Sequence, residues 1–439
     1  MSGEAQLEAL LEIINSSARQ AIAEYKKECN NVPTINSAEL HPLDSSIDNV
    51  VLRKVIRLLE GACQQLCASL APPQRTALNA SHFLVSFNAT ILFVLTSLAG
   101  KASQMSWINI QRRRANWHVF SVYWASKGMF KEVDRDVFAN NRLSLVIKST
   151  CKAGYFLPTV GSGTSQGASA LFDALCDPEY GASHDPGKTA LHYAMKQKGM
   201  VLSNVFDVLE MNEEKNKKFH RAMAGAGEVL GLLSVLHQYP WDEVSTVCDV
   251  GASIGTFSIP LAKAYPHLKI TNQDLERVVA QAEDVWKREA PEALEEQRID
   301  FVPLNFFEEA PVAGKDVYYL RVIIHDWPDA EALAILCNVR KAMAPHSRFL
   351  IHDYVVGSPN RSSDPAAGNI GIDVAPEPML PGFGAGNALV YQQDLDMLIS
   401  NNGKERLLDE WTDLATAAGL RLEKAYDLGD TAVLDFRVA

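Results

Sequence analysis

The chain lacks paired cysteines. Its seven, at positions 29, 63, 67, 151, 176, 248 and 337, are odd in number and show no CxxC spacing. That disfavours a disulfide framework or a cysteine zinc site and points to reduced thiols in a cytoplasmic protein. Positive charge is also scarce: 41 Lys and Arg stand against 53 Asp and Glu, a formal net charge of -12. Nucleic acid and anionic membrane reward basic surfaces, so neither is an expected partner. The run Arg112, Arg113, Arg114 is the one basic cluster of note and reads as solvated surface. No basic region precedes the apolar part of MSGEAQLEALLEII, so a secretory leader is not expected either. From Thr76 to Gly100 formal charge is missing altogether, over 25 residues, which is long enough to span a bilayer. Asn79, Ser81, His82 and Asn88 interrupt the stretch, and a helix buried between domains or subunits is the preferred reading.

With 439 residues, 47% of them hydrophobic, two or three domains with sizeable cores are expected. Residues 4–28 and 47–71 space their apolar positions at three and four, as amphipathic helices do. The stretch from Tyr155 to Lys188 is rich in Gly, Ser and Pro and reads as a linker or excursion. After about residue 236 short β-branched runs (STVCDV, LKITNQD, IDFVPL, DVYYL, RFLIHD) alternate with helical segments. Such alternation argues for a parallel sheet with helices on both faces. LRLEKAYDLGDTAVLDFRV differs: it reads as two strands around a Gly429-Asp430 turn, an antiparallel hairpin closing the sheet.

In an open parallel sheet the ligand sits at the carboxyl ends of the strands, beside the first glycine turn, here VCDVGASIGTF at 247–257. A dinucleotide fingerprint needs G-x-G-x-x-G. Gly251 is instead followed by Ser253, Gly255 and Thr256, so the fingerprint fails at two of three positions. Asp249, near the strand end, suits a cationic ligand, and Asp274, at the end of the next strand, suits a ribose diol. Two acids without a phosphate-binding lysine point to an unphosphorylated adenosine cofactor carrying a cation, which describes S-adenosylmethionine. Ser253 is expected to cost about 1–2 kcal/mol if its φ is positive, roughly tenfold in affinity.

RVIIHDWPDAEALAILCNVRKAM, then RFLIHDYVV, then NNGKERLLDEWTDLATAAGL resembles the caffeate-type small-molecule O-methyltransferases of plants and fungi over about residues 200–439. FANNRLS at 138–144 and FDVLEMNEEKNKKFHRAMAG fit the fungal branch. The resemblance implies an α/β fold: a Rossmann-like seven-stranded sheet with a C-terminal antiparallel hairpin, plus an N-terminal mainly helical, winged-helix-like dimerisation domain. It divides the chain into a helical dimerisation and lid domain at 1–160 and a methyltransferase domain at 161–439, with the Rossmann-like core at 236–439.

Carried over residue by residue, the resemblance makes His325 the general base, flanked and oriented by Asp353 and Glu405. Asp249, Gly251, Ser253, Gly255, Asp274, Leu275, Asn305, Phe306 and Arg321 fall at the cofactor, and Met397 and Asn401 on the acceptor wall. Ser253 replaces the family's middle glycine, Asn305 stands where an aspartate is common, and residues 90–126 depart from the dimerisation pattern. A homodimer and a small aromatic acceptor are the expected partners. His325, Asp326 and His352 raise the question of a metal, but an acidic cluster for magnesium cannot be assembled from the sequence, so none is expected.

An imidazole with pKa near 6.5 suits a phenolic or enolic hydroxyl far better than an aliphatic one. O-methylation of such a hydroxyl on a small aromatic, secondary metabolite is therefore the leading function. Two rivals remain: a methyltransferase fold that has lost activity and serves as a binding protein, and a serine hydrolase through Ser165 of GTSQG. The second is disfavoured because the 160 residues before that motif read as helical rather than as a sheet.

Overall fold

Seven strands form the central sheet: β4 (Thr246–Val250), β5 (Lys269–Asp274), β6 (Ile299–Pro303), β7 (Val317–Arg321), β8 (Arg348–Asp353), β11 (Leu420–Asp427) and β12 (Ala432–Val438), in the order β11-β12-β8-β7-β4-β5-β6. The first five pair in parallel; β12 runs antiparallel to both β8 and β11, while β9 (Val355–Val356) and β10 (Arg406–Leu407) form a separate parallel pair. The anticipated α/β sheet and its closing hairpin are thus both present. The computed structural model describes residues 1–28, 31–44, 49–76, 108–109, 122–135, 137–146, 165–200, 203–205, 222–223, 225, 227, 230–358, 360–361 and 367–439.

The inner strands read as apolar runs because helices cover both faces. Val247, Cys248, Val250, Val317, Tyr318, Leu320, Phe349 and Ile351 have no solvent exposure. On one face α6 (Asp329–Ala342) presents Ala332, Leu336 and Val339, and α8 (Leu408–Ala417) presents Trp411. On the other, α4 (Ser258–Ala264) and α5 (Glu276–Glu289) bring Leu261, Ala282 and Trp286. The chain passes from β4 outward to β5 and β6, then returns to β7 on the opposite side. That reversal leaves a crevice at the carboxyl ends of β4 and β7, where open α/β sheets bind ligands.

In the N-terminal region α1 (Gly3–Glu28) and α2 (Val50–Leu70) pair as the apolar spacing predicts, and a small antiparallel sheet holds β1 (Ile108–Asn109), β2 (Lys131–Asp134) and β3 (Val137–Ala139) in the order β1-β3-β2. Arg57 pins α2 to the closing hairpin. It is buried, donates to the Gly429 carbonyl at 2.7 Å, pairs with Asp373 and Asp427 at 3.2 Å, and lies 4.1 Å from the Phe383 ring centroid. Arg53 adds Asp430 at 2.9 Å.

The supposed linker at 155–188 is helical from Ser165 to Cys176, as the ASALFDALC spacing allows. Its Gly167 packs where a Cβ would meet Ile399 and the Leu191 backbone of α3 (Ala190–Lys196), so this glycine serves helix packing. Among the described residues no strand of the central sheet leads into Ser165; YFLPTV at 155–160, which a nucleophile elbow would need as its strand, lies outside them. The uncharged stretch at 77–100, most of the divergent segment at 90–126 and residues 206–221 lie outside the described residues. Among the described residues no helix is long and apolar enough to cross a membrane.

Candidate active site

Four acidic or basic side chains reach the crevice because each occupies a strand end: Asp249 on β4, Asp274 on β5, Arg321 on β7 and Asp353 on β8. The turn after β4 has positive φ at Gly251 (72°), Ser253 (52°) and Gly255 (92°). A Cβ on Gly251 would come within 2.9 Å of Ile323, and the Phe306 ring lies just beyond. Asp274 organises the turn: Oδ2 accepts the Ser253 N–H and Oδ1 the Leu275 N–H, both at 2.8 Å. Burial raises its carboxyl pKa, and those two N–H bonds oppose the rise. Asp249 lies beneath the turn, accepting the Ser258 hydroxyl, and burial pushes its carboxyl up to about 6.

Arg321 donates through Nη2 to Thr256 at 2.7 Å, while its buried Nη1 has no partner among the described residues. Asn305 accepts the Phe307 N–H through its side-chain oxygen, and Asn338 donates to the carbonyls of Phe306 and Phe307, fixing the aromatic wall. These residues fit an adenosine cofactor with a carboxylate tail. Each Asp274 oxygen keeps a lone pair for a hydroxyl, the Arg321 Nη1 awaits an acceptor, and Phe306 offers an apolar face.

Beside this crevice His325, Asp353 and Glu405 converge. Nδ1 of His325 meets Glu405 Oε1 at 2.6 Å and Asp353 Oδ1 at 3.5 Å; Nε2 faces Asp326 Oδ1 at 3.8 Å. Asp353 also accepts the His325 backbone N–H at 3.3 Å, and the Tyr354 ring stacks against the imidazole at 6.0 Å. Burial opposes charge on the imidazole, but the carboxylates of Asp353, Glu405 and Asp326 outweigh it and hold its pKa well above 6.5. Burial raises all three carboxyls, Asp326 up to about 6, while the imidazolium charge works against each rise.

The three residues that the resemblance grouped as base and flanking acids thus lie together, and they form an acidic cluster where the metal question had been raised for His325, Asp326 and His352. One ligand atom each from His325, Asp353 and Glu405 lie within 4.8 Å of one another, which is also metal-ligand spacing. The 2.6 Å between Nδ1 and Oε1 is a short, charge-assisted hydrogen bond between imidazole and carboxylate.

Met397 and Asn401, both buried, come from α7 (Ala388–Asn401). Asn401 donates to Asp326 Oδ1 at 2.6 Å. Two members of this arrangement had no catalytic role assigned from the sequence: Asp326, next to His325 in the HDW motif and weighed there only for a metal, and Asp394, one helical turn before Met397. For both the available signal was position, adjacency in one case and the i, i+3, i+7 face in the other.

Ser253 does carry the strained conformation, and its N–H is held by Asp274. The strain is thereby built into the folded turn and acts on folding stability more than on affinity. Ser253→Gly is expected to raise stability by up to about 1 kcal/mol, a left-handed penalty of about 1–2 kcal/mol partly offset by glycine's unfolded-state entropy. Calorimetric melting checks this; a lowered Tm would show that the serine side chain contributes more than its backbone costs.

Comparison with known proteins is consistent with this geometry. A family model described as an O-methyltransferase domain matches residues 187–421. A Phanerochaete chrysosporium protein named 3-O-methyltransferase 2 is 35% identical, over 98% of this chain and 97% of its own. O-methyltransferase gedA of Aspergillus terreus is 31% identical over 70% of this chain and 68% of its own. Among solved structures, OxaC in complex with SAH and oxaline covers 98% of this chain and 100% of its own, with TM-score 0.66 and 20% identity. The mitomycin 7-O-methyltransferase MmcR covers 84% of this chain and 99% of its own, with TM-score 0.62 and 19% identity. At these identities the two structures speak for the fold.

Proposed function

The chain belongs to the S-adenosylmethionine-dependent O-methyltransferases, and from that membership we propose that it methylates a phenolic or enolic hydroxyl of a small aromatic, secondary metabolite with His325 as general base. The observation that carries the reading is the buried His325–Glu405 contact of 2.6 Å. By fixing the imidazole through Nδ1, it leaves Nε2 to face the acceptor. Bound in the crevice, S-adenosylmethionine supplies an electrophilic methyl group on a sulfonium. Asp274 would hold the two ribose hydroxyls and Arg321 Nη1 the carboxylate, Phe306 and Ile323 would offer the adenine an apolar face, and Gly251, Gly255 and Leu275 shape the turn. Asn305 braces this wall, and Asp249 adds negative charge beneath the turn.

On the acceptor side, His325 Nε2 takes the hydroxyl proton. The negative field of Glu405, Asp353 and Asp326 stabilises the imidazolium. That field also raises the basicity of the imidazole toward the phenol pKa of about 10, which makes the transfer better matched. Met397 and Asn401 line the acceptor wall. In this reading residues 1–160 form the lid and dimerisation domain of a homodimer, and residues 161–439 the transferase domain. The relatives named above are O-methyltransferases by name, one of them a 3-O-methyltransferase, which supports a hydroxyl acceptor without specifying the molecule that carries it.

The test is a methylation screen with purified protein, S-adenosylmethionine and paired acceptors, phenols and enols against aliphatic alcohols of similar size. Turnover is expected for members of the first group and none for the second, because their hydroxyls differ by about 5–6 pKa units and proton transfer follows that difference. An aliphatic alcohol methylated as fast as the best phenol overturns the proposed acceptor class.

A further inference from the structure

Helix α7 reaches the catalytic cluster at two separate points. Near its C-terminus Asn401 donates to Asp326, on the Nε2 side of His325. Two turns earlier, Asp394 Oδ1 accepts the backbone N–H of Glu405 at 2.9 Å, and Glu405 in turn holds Nδ1 of the same imidazole. Between these points lies Met397. The residues Asp394, Met397 and Asn401 share one helix face, so one rigid element touches both nitrogens' partners and the acceptor wall.

The buried Glu405 lies between two anchored neighbours: Asn402 donates through Nδ2 to the carbonyls of Ser183, Asp185 and Lys188, and the Arg406 backbone pairs with Val355. The chain turns back after α7 through Asn402 at φ 52° and Gly403, where an added Cβ would collide with the His325 carbonyl. Lys404 is drawn outward to Glu410 at 2.7 Å, and Arg406 is drawn to the Ile324 and Trp327 carbonyls and to Asp329. The second carboxylate oxygen of Glu405, Oε2, is buried with no partner among the described residues. The carboxylate is therefore aimed by its backbone, and the one side chain that bonds the backbone N–H of that residue is Asp394.

We propose that Asp394 is a positioning residue: it sets the Glu405 carboxylate against His325 and couples the placement of the acceptor helix to the alignment of the base. This rests on the reading of His325 as the base. An acceptor that seats α7 correctly then also completes the base, and one that displaces α7 reacts slowly even when it binds.

The experiment uses the full chain with a phenol it methylates, comparing Asp394→Ala, Asp394→Asn and Asp394→Glu with the parent and with His325→Ala. Asp394→Ala is expected to lower kcat about 10- to 100-fold, the cost of misplacing a catalytic group by about 1 Å, with KM for S-adenosylmethionine unchanged. The midpoint of its kcat–pH profile should fall, because Glu405 no longer holds the imidazolium. Asp394→Asn keeps an acceptor oxygen and should return kcat to within about threefold of the parent. Should the alanine variant fail to fold, Asp394→Glu decides: it retains charge and acceptor but displaces the oxygen by one methylene, and a roughly tenfold kcat loss is expected. A folded alanine or glutamate variant with the parent's kcat and pH midpoint overturns the proposal, as does an asparagine variant no better than alanine. If His325→Ala itself retains turnover, the base reading fails; if it is inactive while the Asp394 variants are not impaired, only the positioning role fails.

Discussion

Replacing His325 with alanine is expected to lower kcat by about 10²- to 10⁴-fold, the usual worth of a positioned general base, and to leave S-adenosylmethionine affinity within about twofold of the parent. The two effects separate because the imidazole and the cofactor residues sit on different strand ends: Asp274 closes β5, and the His325 partners come from the end of β8 and the loop after α7. The parent's kcat should rise with pH, since the imidazole accepts a proton only when neutral. The midpoint of that rise belongs above 6.5, in the direction that three nearby carboxylates impose against the opposing effect of burial. Glu405→Gln removes one negative charge and should move the midpoint to lower pH while lowering kcat, because the amide no longer stabilises the imidazolium. Rapid-quench turnover across pH 5 to 10 reads both. A folded His325→Ala protein that keeps more than about a tenth of parental kcat removes His325 from proton transfer, and a midpoint unmoved by Glu405→Gln means that the titrating group is elsewhere.

The parts of this site that could be read in the sequence are those fixed by strand ends. Asp249, Asp274, Arg321 and Asp353 each close a β-branched run, and a parallel sheet necessarily gathers such ends on one edge. The hairpin around Gly429 was equally plain, because two apolar runs flank a Gly-Asp pair. What depended on a loop returning from a helix was not visible in local pattern; the resemblance alone put Asp353 and Glu405 beside His325. The acidic cluster at His325 draws on positions 326, 353 and 405, and no local pattern places them within reach of one imidazole. Asp394 was hidden for the same reason: its partner is a backbone N–H, which any residue at 405 would present. The helix at 165–176 was obscured by composition, because flanking Gly, Ser and Pro outweighed its own apolar spacing.

Asp274→Ala should cost S-adenosylmethionine about 3–5 kcal/mol, on the order of 10²- to 10³-fold in Kd or more, through two hydrogen bonds to a charged carboxylate worth roughly 1.5–3 kcal/mol each. The loss has a second source. Asp274 also holds the Ser253 and Leu275 N–H groups at 2.8 Å, so its removal frees a turn whose Ser253 sits at φ 52°. Asp274→Asn separates the sources. An amide oxygen can still accept one N–H and one hydroxyl, so this variant should keep part of the turn's order and lose about tenfold, less than alanine does. Titration calorimetry with S-adenosylmethionine and with its demethylated product reads all three proteins. Loss of both ligands together locates the defect at the adenosine end, where the two molecules are identical. Loss confined to S-adenosylmethionine would place it at the sulfonium, contrary to a ribose contact. Unchanged affinity in a folded alanine variant would detach Asp274 from the cofactor altogether. Since this carboxylate organises the turn that defines the crevice, the crevice would then no longer be the cofactor site, and the inactive-scaffold reading would gain the ground that the transferase reading lost.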